Sequence, residues 1–290
     1  MKNLIKNGLM LLAGIMILAT SCEKIDSSDT GGKGTVVLKL TDAPFPVSLV
    51  GQALVTIDKI EIRAVAPETA TEEEIDNQAL YSVLYEGDGK EFNLLDLQNG
   101  VTAELLSLDI EVGSYDLIRL HVADAEIILK DGTNFDLKIP GGTTSGLKIK
   151  LSPELVVESD VESEVVLDFD VSKSFIVQGN TKKPDQIKGF LFKPVIRAMV
   201  QKYSGIIEGK VSENETTPIA EAHVQILRAD TVYSSALTDE TGAYALIGLP
   251  AETYKMVCEK EGYGAVTVDQ VIVKAREKTV QNFTLAKSNP

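Results

Sequence analysis

The 290-residue sequence has no tryptophan, only two cysteines and two histidines, and an aromatic share of 6%. Each shortage closes a class of function. His121 and His223 lie far apart in the chain, which excludes a histidine-rich zinc site. Cys22 and Cys258 are the only thiols, so no disulfide framework can form, and Cys258, following Met256 and Val257, reads as a small buried hydrophobe rather than a nucleophile. Without tryptophan, eight Tyr and eight Phe offer little for the flat stacking platforms that sugar sites favour. No His-Glu-x-x-His, Gly-x-Ser-x-Gly, phosphate-cradling loop or dinucleotide fingerprint occurs, and no cofactor is expected. Acidic residues are plentiful, 43 against 28 basic ones for a net charge of −15. That balance repels nucleic acid and anionic headgroups. It leaves a hydrolase-type carboxylate pair open, since the spacing that matters there is spatial.

The first residues are informative in what they contain. Lys2 and Lys6 precede an apolar run from Leu9 to Ala19 that only Gly14 interrupts, with no acidic residue. This is the pattern of an export signal, and the run is short of the roughly twenty residues that span a bilayer. It ends in Leu18-Ala19-Thr20-Ser21-Cys22, which resembles a bacterial lipobox, with Ala19 where the usual motif has leucine. The resemblance implies cleavage after Ser21 and acylation of Cys22, so that two or three chains anchor the protein to membrane lipid, with the outer membrane as the expected location. An ordinary secretory signal with a stray cysteine is the plainer alternative. Residues 1–21 are thus read as signal peptide and the polar, glycine-rich residues 22–34 as a tether. Removing Lys2 and Lys6 with the leader takes the charge from −15 to −17.

From Thr35 to Tyr203 nearly every signal is that of strands. Val36 to Leu40 is a β-branched run stopped at Asp42-Ala43-Pro44. In Val55 to Ile62 the apolar positions switch parity, which predicts a bulge near Asp58 and Lys59. Lys130-Asp131-Gly132-Thr133 predicts a hairpin with a two-residue turn, and Glu86-Gly87-Asp88-Gly89 another with a longer loop. Pro67 to Asn77, with Glu72, Glu73 and Glu74, reads as an exposed excursion, and Thr102 to Leu108 as one short helix capped by Thr102. Alternation places Asp168 and Asp170 on one strand face, and Arg119 with His121 on one face of another. Asp168, Asp170 and Arg119 are therefore a candidate cation-binding or ion-pair cluster, with Lys148 and Lys150 as other cations in reach, the ion pair being the plainer reading. Tyr81, Tyr85 and Tyr263, all near glycines, are the candidate ligand-stacking residues.

Leu40-Thr41-Asp42-Ala43-Pro44, Gly113-Ser114-Tyr115, Ile118-Arg119-Leu120, Ser145-Gly146-Leu147-Lys148, Leu167-Asp168-Phe169-Asp170-Val171 and Lys193-Pro194-Val195-Ile196-Arg197 occur in that order. Together they resemble a domain of unknown function common in lipoproteins of Bacteroidetes-type bacteria. The resemblance implies an exported β-rich domain and carries over no reaction, substrate or catalytic residue.

The region 204–287 alternates strands with turns: Thr217-Pro218-Ile219, Thr238-Asp239-Glu240-Thr241-Gly242-Ala243-Tyr244, Leu249-Pro250-Ala251-Glu252-Thr253-Tyr254 and Gly262-Tyr263. This looks like the carboxypeptidase regulatory-like domain, a transthyretin-like sandwich of about seven strands within a carbohydrate-binding-like fold group, with Glu252 where the family usually has glycine. Fold alone confers no activity. The chain is thus expected to be all-β, with two sandwich-type domains at 35–203 and 204–287. Its expected role is non-enzymatic, an envelope lipoprotein that binds or scaffolds, with a protein partner favoured, a glycan the alternative and a carboxylate-based hydrolase the remote one.

Overall fold

The computed structural model describes residues 32–43, 49–67, 69–71, 80–139, 145–180, 184–214 and 216–288. Cys22 and the leader lie outside them, as does most of the acidic stretch around Glu72 to Glu74. The N-terminal domain contains β1 (Lys33–Ala43), β2 (Val50–Ala64), β3 (Tyr81–Asn93), β4 (Ala103–Glu111), β5 (Gly113–Leu129), β6 (Asn134–Asp136), β7 (Leu147–Val157), β8 (Glu162–Asp170), the single turn α1 (Val171–Ser174), β9 (Phe175–Gly179), β10 (Ile187–Phe192) and β11 (Ile196–Val200). Nine of these strands form one sheet in the order β3-β2-β5-β7-β11-β8-β1-β4, with β6 paired to β5. The sheet turns over on itself where β7 meets β11 through the single pair Ala198 and Leu151, next to a bulge at residues 152–154 of β7. Its two halves share one core containing Leu38, Leu40, Ile60, Ile62, Ile118, Leu120, Leu167 and Phe169. At the open seam, Lys90 of β3 donates to the Leu105 carbonyl of β4 at 2.7 Å.

The separate pair β9-β10 closes one end of this sandwich. Phe175 and Phe192 stack with Phe169, and Phe190 meets Phe135 edge-on at 5.4 Å. Offset and edge-on rings of this kind are the packing that aromatic quadrupoles favour.

The C-terminal domain contains β12 (Ser204–Asn214), β13 (Thr217–Pro218), β14 (His223–Arg228), β15 (Thr231–Leu237), β16 (Ala243–Pro250), β17 (Thr253–Glu259), β18 (Val266–Ile272), β19 (Lys278–Val280) and β20 (Phe283–Thr284). A five-stranded sheet around β12 faces a four-stranded sheet β15-β14-β17-β18. Their core includes Ile207, Val224, Ile226, Leu246, Met256 and Cys258. The architecture is all-β with two sandwiches in tandem, as expected.

Several local expectations meet their structural outcome. The ladder slips between Ile57 and Lys59 on both sides of β2, so the parity change marks a real bulge at Asp58. The Lys130–Thr133 hairpin exists, but Leu129 closes on Thr133 and Gly132 has φ +89°, so the loop has three residues ending in a left-handed glycine. Glu86–Gly89 is not a hairpin. Ile57 pairs with Lys90 and Lys59 with Glu86, so residues 87–89 bulge out of a continuous β3. Thr102–Leu108 is not a helix either. It is the start of β4, where a slip opposite Leu38 and Lys39 lets both Leu105 and Leu106 be buried and imitates helical spacing.

Candidate functional site

On the strand pair β8-β11, alternation sends every second side chain away from the N-terminal core. Asp168 sits opposite Arg197 and Val166 opposite Met199. Asp168, Val166 and Met199 are buried nonetheless and Arg197 is partly buried, because the C-terminal domain covers them: Val166 and Met199 belong to neither core. A Cβ on Gly248 of β16 would come within 2.2 Å of Met199 Sδ, and one on Gly100 within 3.1 Å of Ala245 Cβ. A side chain at Gly248 would therefore require the Met199 side chain to move, and one at Gly100 a shift of a few tenths of an ångström.

Arg197 is the centre of this contact. One guanidinium nitrogen donates to Asp168 and the other to the main-chain carbonyl of Tyr233 in the C-terminal domain, while the plane lies 4.7 Å from the Tyr233 ring. A planar fork with several donors suits a group that must satisfy partners in two domains at once. Burial works against the Arg197 charge, but Asp168 outweighs it and holds the guanidinium protonated. Burial pushes Asp168 above the ordinary carboxylate range, with Arg197 opposing. Asp170 pairs instead with Lys173 at 2.7 Å and caps α1 by accepting from the Lys173 amide and the Ser172 hydroxyl. Burial alone would raise Asp170, and these bonds bring it below its usual value.

Asp42 completes the carboxylate group. Its Oδ1 accepts from the Val171 amide at 3.0 Å, while its buried Oδ2 has no hydrogen-bond partner among the described residues. Burial, reinforced by Asp168 and Asp170, raises its pKa well above the ordinary range. The sequence reading did not single out Asp42 or Arg197. The turn signal at Asp42-Ala43-Pro44 and Arg197 are visible in the sequence, but their approach to Asp168 and Asp170 depends on β1 and β11 both flanking β8. Among the described residues no group of three His, Cys, Asp or Glu side chains is placed to hold a metal ion.

Arg119 lies in a second cluster, away from Asp168 and Asp170. In the sheet order β5 and β8 are separated by β7 and β11, so a shared strand parity could not bring them together. Arg119 pairs with Glu61 at 3.3 Å, and His121 Nε2 lies 2.9 Å from the same carboxylate oxygen. Lys59 reaches the other oxygen at 3.4 Å. Glu61 is 1% exposed, and a buried carboxylate is tolerated only with such compensation.

The three candidate stacking tyrosines are engaged by the protein. Tyr81 is buried with the Arg119 guanidinium 3.7 Å from its ring centre. The Lys90 ammonium sits 4.9 Å over Tyr85, and Tyr263 packs on the C-terminal core with its hydroxyl 3.4 Å from Glu213. Cys258 is buried, which pushes its thiol up to about 12 and keeps it inert.

Fold and clusters together define a tandem β-sandwich protein in which the conspicuous carboxylates hold strands and domains in place. Residues 33–194, more than half of the chain, match the family described as Domain of unknown function (DUF4382), and the chain belongs to that family. Residues 206–286 match the carboxypeptidase regulatory-like domain. No curated protein matches the chain. Solved structures with some likeness include a putative carbohydrate binding protein from Bacteroides uniformis, at 18% identity over 28% of this chain and 41% of that one, TM-score 0.25. Others are the minor pilin GBS52 of Streptococcus agalactiae, at 9% identity over 88% and 97%, TM-score 0.26, and the shaft pilin SpaA of Lactobacillus rhamnosus GG, at 12% identity over 89% and 99%, TM-score 0.25. The chain spans less than half the length of the first of these, and scores this low carry no argument about fold or function.

Proposed function

We propose that this chain is a lipid-anchored protein of the outer membrane whose two β-domains act as one non-enzymatic binding or scaffolding body with a protein partner. The supporting observation is the interdomain clamp. The two terminal nitrogens of Arg197 reach Asp168 and the Tyr233 carbonyl, and Gly248 lets β16 approach Met199, which supports reading the two sandwiches as a single presenting unit. A fixed unit suits presentation of a surface, since less ordering is left to be done on binding. Asp168 and Asp170, the pair that a hydrolase would need, are engaged with Arg197 and Lys173. The short apolar leader ending at Cys22 supplies the anchor in this reading.

The experiment is expression of the full chain and of Cys22→Ala with a radiolabelled fatty acid, followed by density separation of inner and outer membranes. Label on the wild type alone, in the outer-membrane fraction, is the expected result. Unlabelled, freely soluble wild-type protein would refute the anchor. Cross-linking in intact envelopes, run beside a glycan array, then separates a protein partner from the glycan alternative.

A further inference from the structure

The acidic balance of the chain is reversed around β9 and β10. Residues 171–196 contain five lysines and a single acidic residue, Asp185, in a protein of net charge −15. This segment includes the β9-β10 pair that closes the N-terminal sandwich. Its inner face, with Phe175, Phe190 and Phe192, is fully committed to the core. Its outer face carries Ile176 and Leu191, which stand directly opposite each other and remain 45% and 49% exposed. Lys188 and Lys193 lie exposed on either side of that pair along β10, and neither holds a carboxylate among the described residues. Lys39, Lys202, Lys278 and Lys287, by contrast, are all ion-paired. Ile176 and Leu191 alternate with the core-facing Phe175, Phe190 and Phe192, so the fold does not need apolar side chains at 176 and 191.

We infer that the outer face of β9-β10 is a docking surface for a protein partner with an acidic face and an apolar centre. An aliphatic pair rimmed by unpaired cations has the anatomy of an interface core with its polar rim. A hydrated polyanionic glycan would use the lysines but leave Ile176 and Leu191 in water. A bilayer is disfavoured by position. Chain entry at Gly32 is beside Val112, whereas Ala43, at the other end of β1, pairs with Asp170, the residue from which α1 leads into β9. The surface therefore lies at the end of the domain opposite chain entry. Its small size places the contact in the transient class. The inference deepens the partner half of the proposed function; only the argument against a bilayer rests on the anchor at Cys22, and the vesicle competitor tests that separately.

The test is fluorescence anisotropy of the full mature protein with a labelled acidic peptide of alternating Glu and Leu. Poly-Glu, dextran sulfate and phosphatidylglycerol-containing vesicles serve as competitors. Two double variants are compared: Ile176→Thr with Leu191→Thr, and Lys188→Glu with Lys193→Glu, all at exposed positions, with thermal melts confirming their fold. Binding should weaken about tenfold or more in each, and raising ionic strength from about 0.01 M to about 1 M, which cuts the screening length from about 30 Å to about 3 Å, should abolish it. Poly-Glu should compete poorly, because it lacks the apolar half. No binding by the wild type, or binding by both variants as tight as by the wild type, would overturn the assignment. So would binding lost only with the lysines, with dextran sulfate or the vesicles competing as well as the Glu/Leu peptide.

Discussion

In the C-terminal sandwich the polar groups near the core are hydroxyls with main-chain partners. Tyr254 donates to the Pro250 carbonyl at 3.0 Å, Tyr244 to the Gln281 carbonyl, and Thr238 to Ile219 while accepting from the Ala222 amide. In the N-terminal sandwich they include charged side chains: Asp42, Glu61, Arg63, Asp168 and Asp170 are buried there, beside His121 and the hydroxyls of Thr41 and Ser174. The difference follows from what each sheet packs against. Within the C-terminal domain two sheets face each other across one apolar core, so alternation largely sorts apolar from polar. The strands β8 and β11 have a core on one side and a second domain on the other, so Asp168 is buried and pairs with Arg197, while Glu61, Arg63 and His121 form separate contacts on β2 and β5.

The contrast can be broken most severely at Arg197. Arg197→Ala leaves the Asp168 carboxylate buried without its cation, a change expected to cost about 3–5 kcal/mol in urea denaturation. Protection from hydrogen exchange should fall at β15 as well as at β8 and β11. A milder wedge is Gly248→Ala, where φ is +68° and the new Cβ would meet Met199. About 1–3 kcal/mol of destabilisation is expected, partly relieved by Met199→Ala in a double-mutant cycle, which a purely local backbone effect would not show. Within the C-terminal domain, Tyr254→Phe removes one hydroxyl bond and should cost only about 1 kcal/mol, without altering protection in the N-terminal domain.

Asp42 sharpens the comparison with the opposite sign. Its folded-state pKa is raised, so the stability linked to its proton is present below the ordinary aspartate value of 3.8 and is lost as pH rises through the folded value. Asp42→Asn keeps an acceptor for the Val171 amide and removes the charge. At neutral pH it should leave stability unchanged or raise it by about 1 kcal/mol, with a flatter dependence of stability on pH. A loss of stability at pH 7 would show that the carboxylate is needed in its ionised form.

Strand parity and turn chemistry were legible before any coordinates. Parity located the bulge at Asp58, the Asp131-Gly132 pair located a hairpin, and the Gly242 turn behaves as its residues require, with φ +74° and Asp239 accepting from the Thr241 and Ala243 amides. Legibility stopped where ladders slip. The slip beside Leu105 disguised a strand as a helix, and the bulge at residues 87–89 resembled a hairpin because glycine serves both. The polar clusters needed the sheet order, which no local pattern encodes. Asp168 and Asp170 do share a face, but the cation beside Asp168 comes from β11 and not from β5. Arg197 carries no sequence signal of its role, since one of its partners is a main-chain carbonyl in another domain.

The clamp is tested most directly by differential scanning calorimetry of the mature chain beside its Arg197→Ala variant. One cooperative transition for the wild type, splitting in the variant into an early N-terminal and a later C-terminal melt, is the expected result. Two separate transitions already present in the wild type, or an unsplit and unshifted melt in the variant, would contradict a body held together at Arg197.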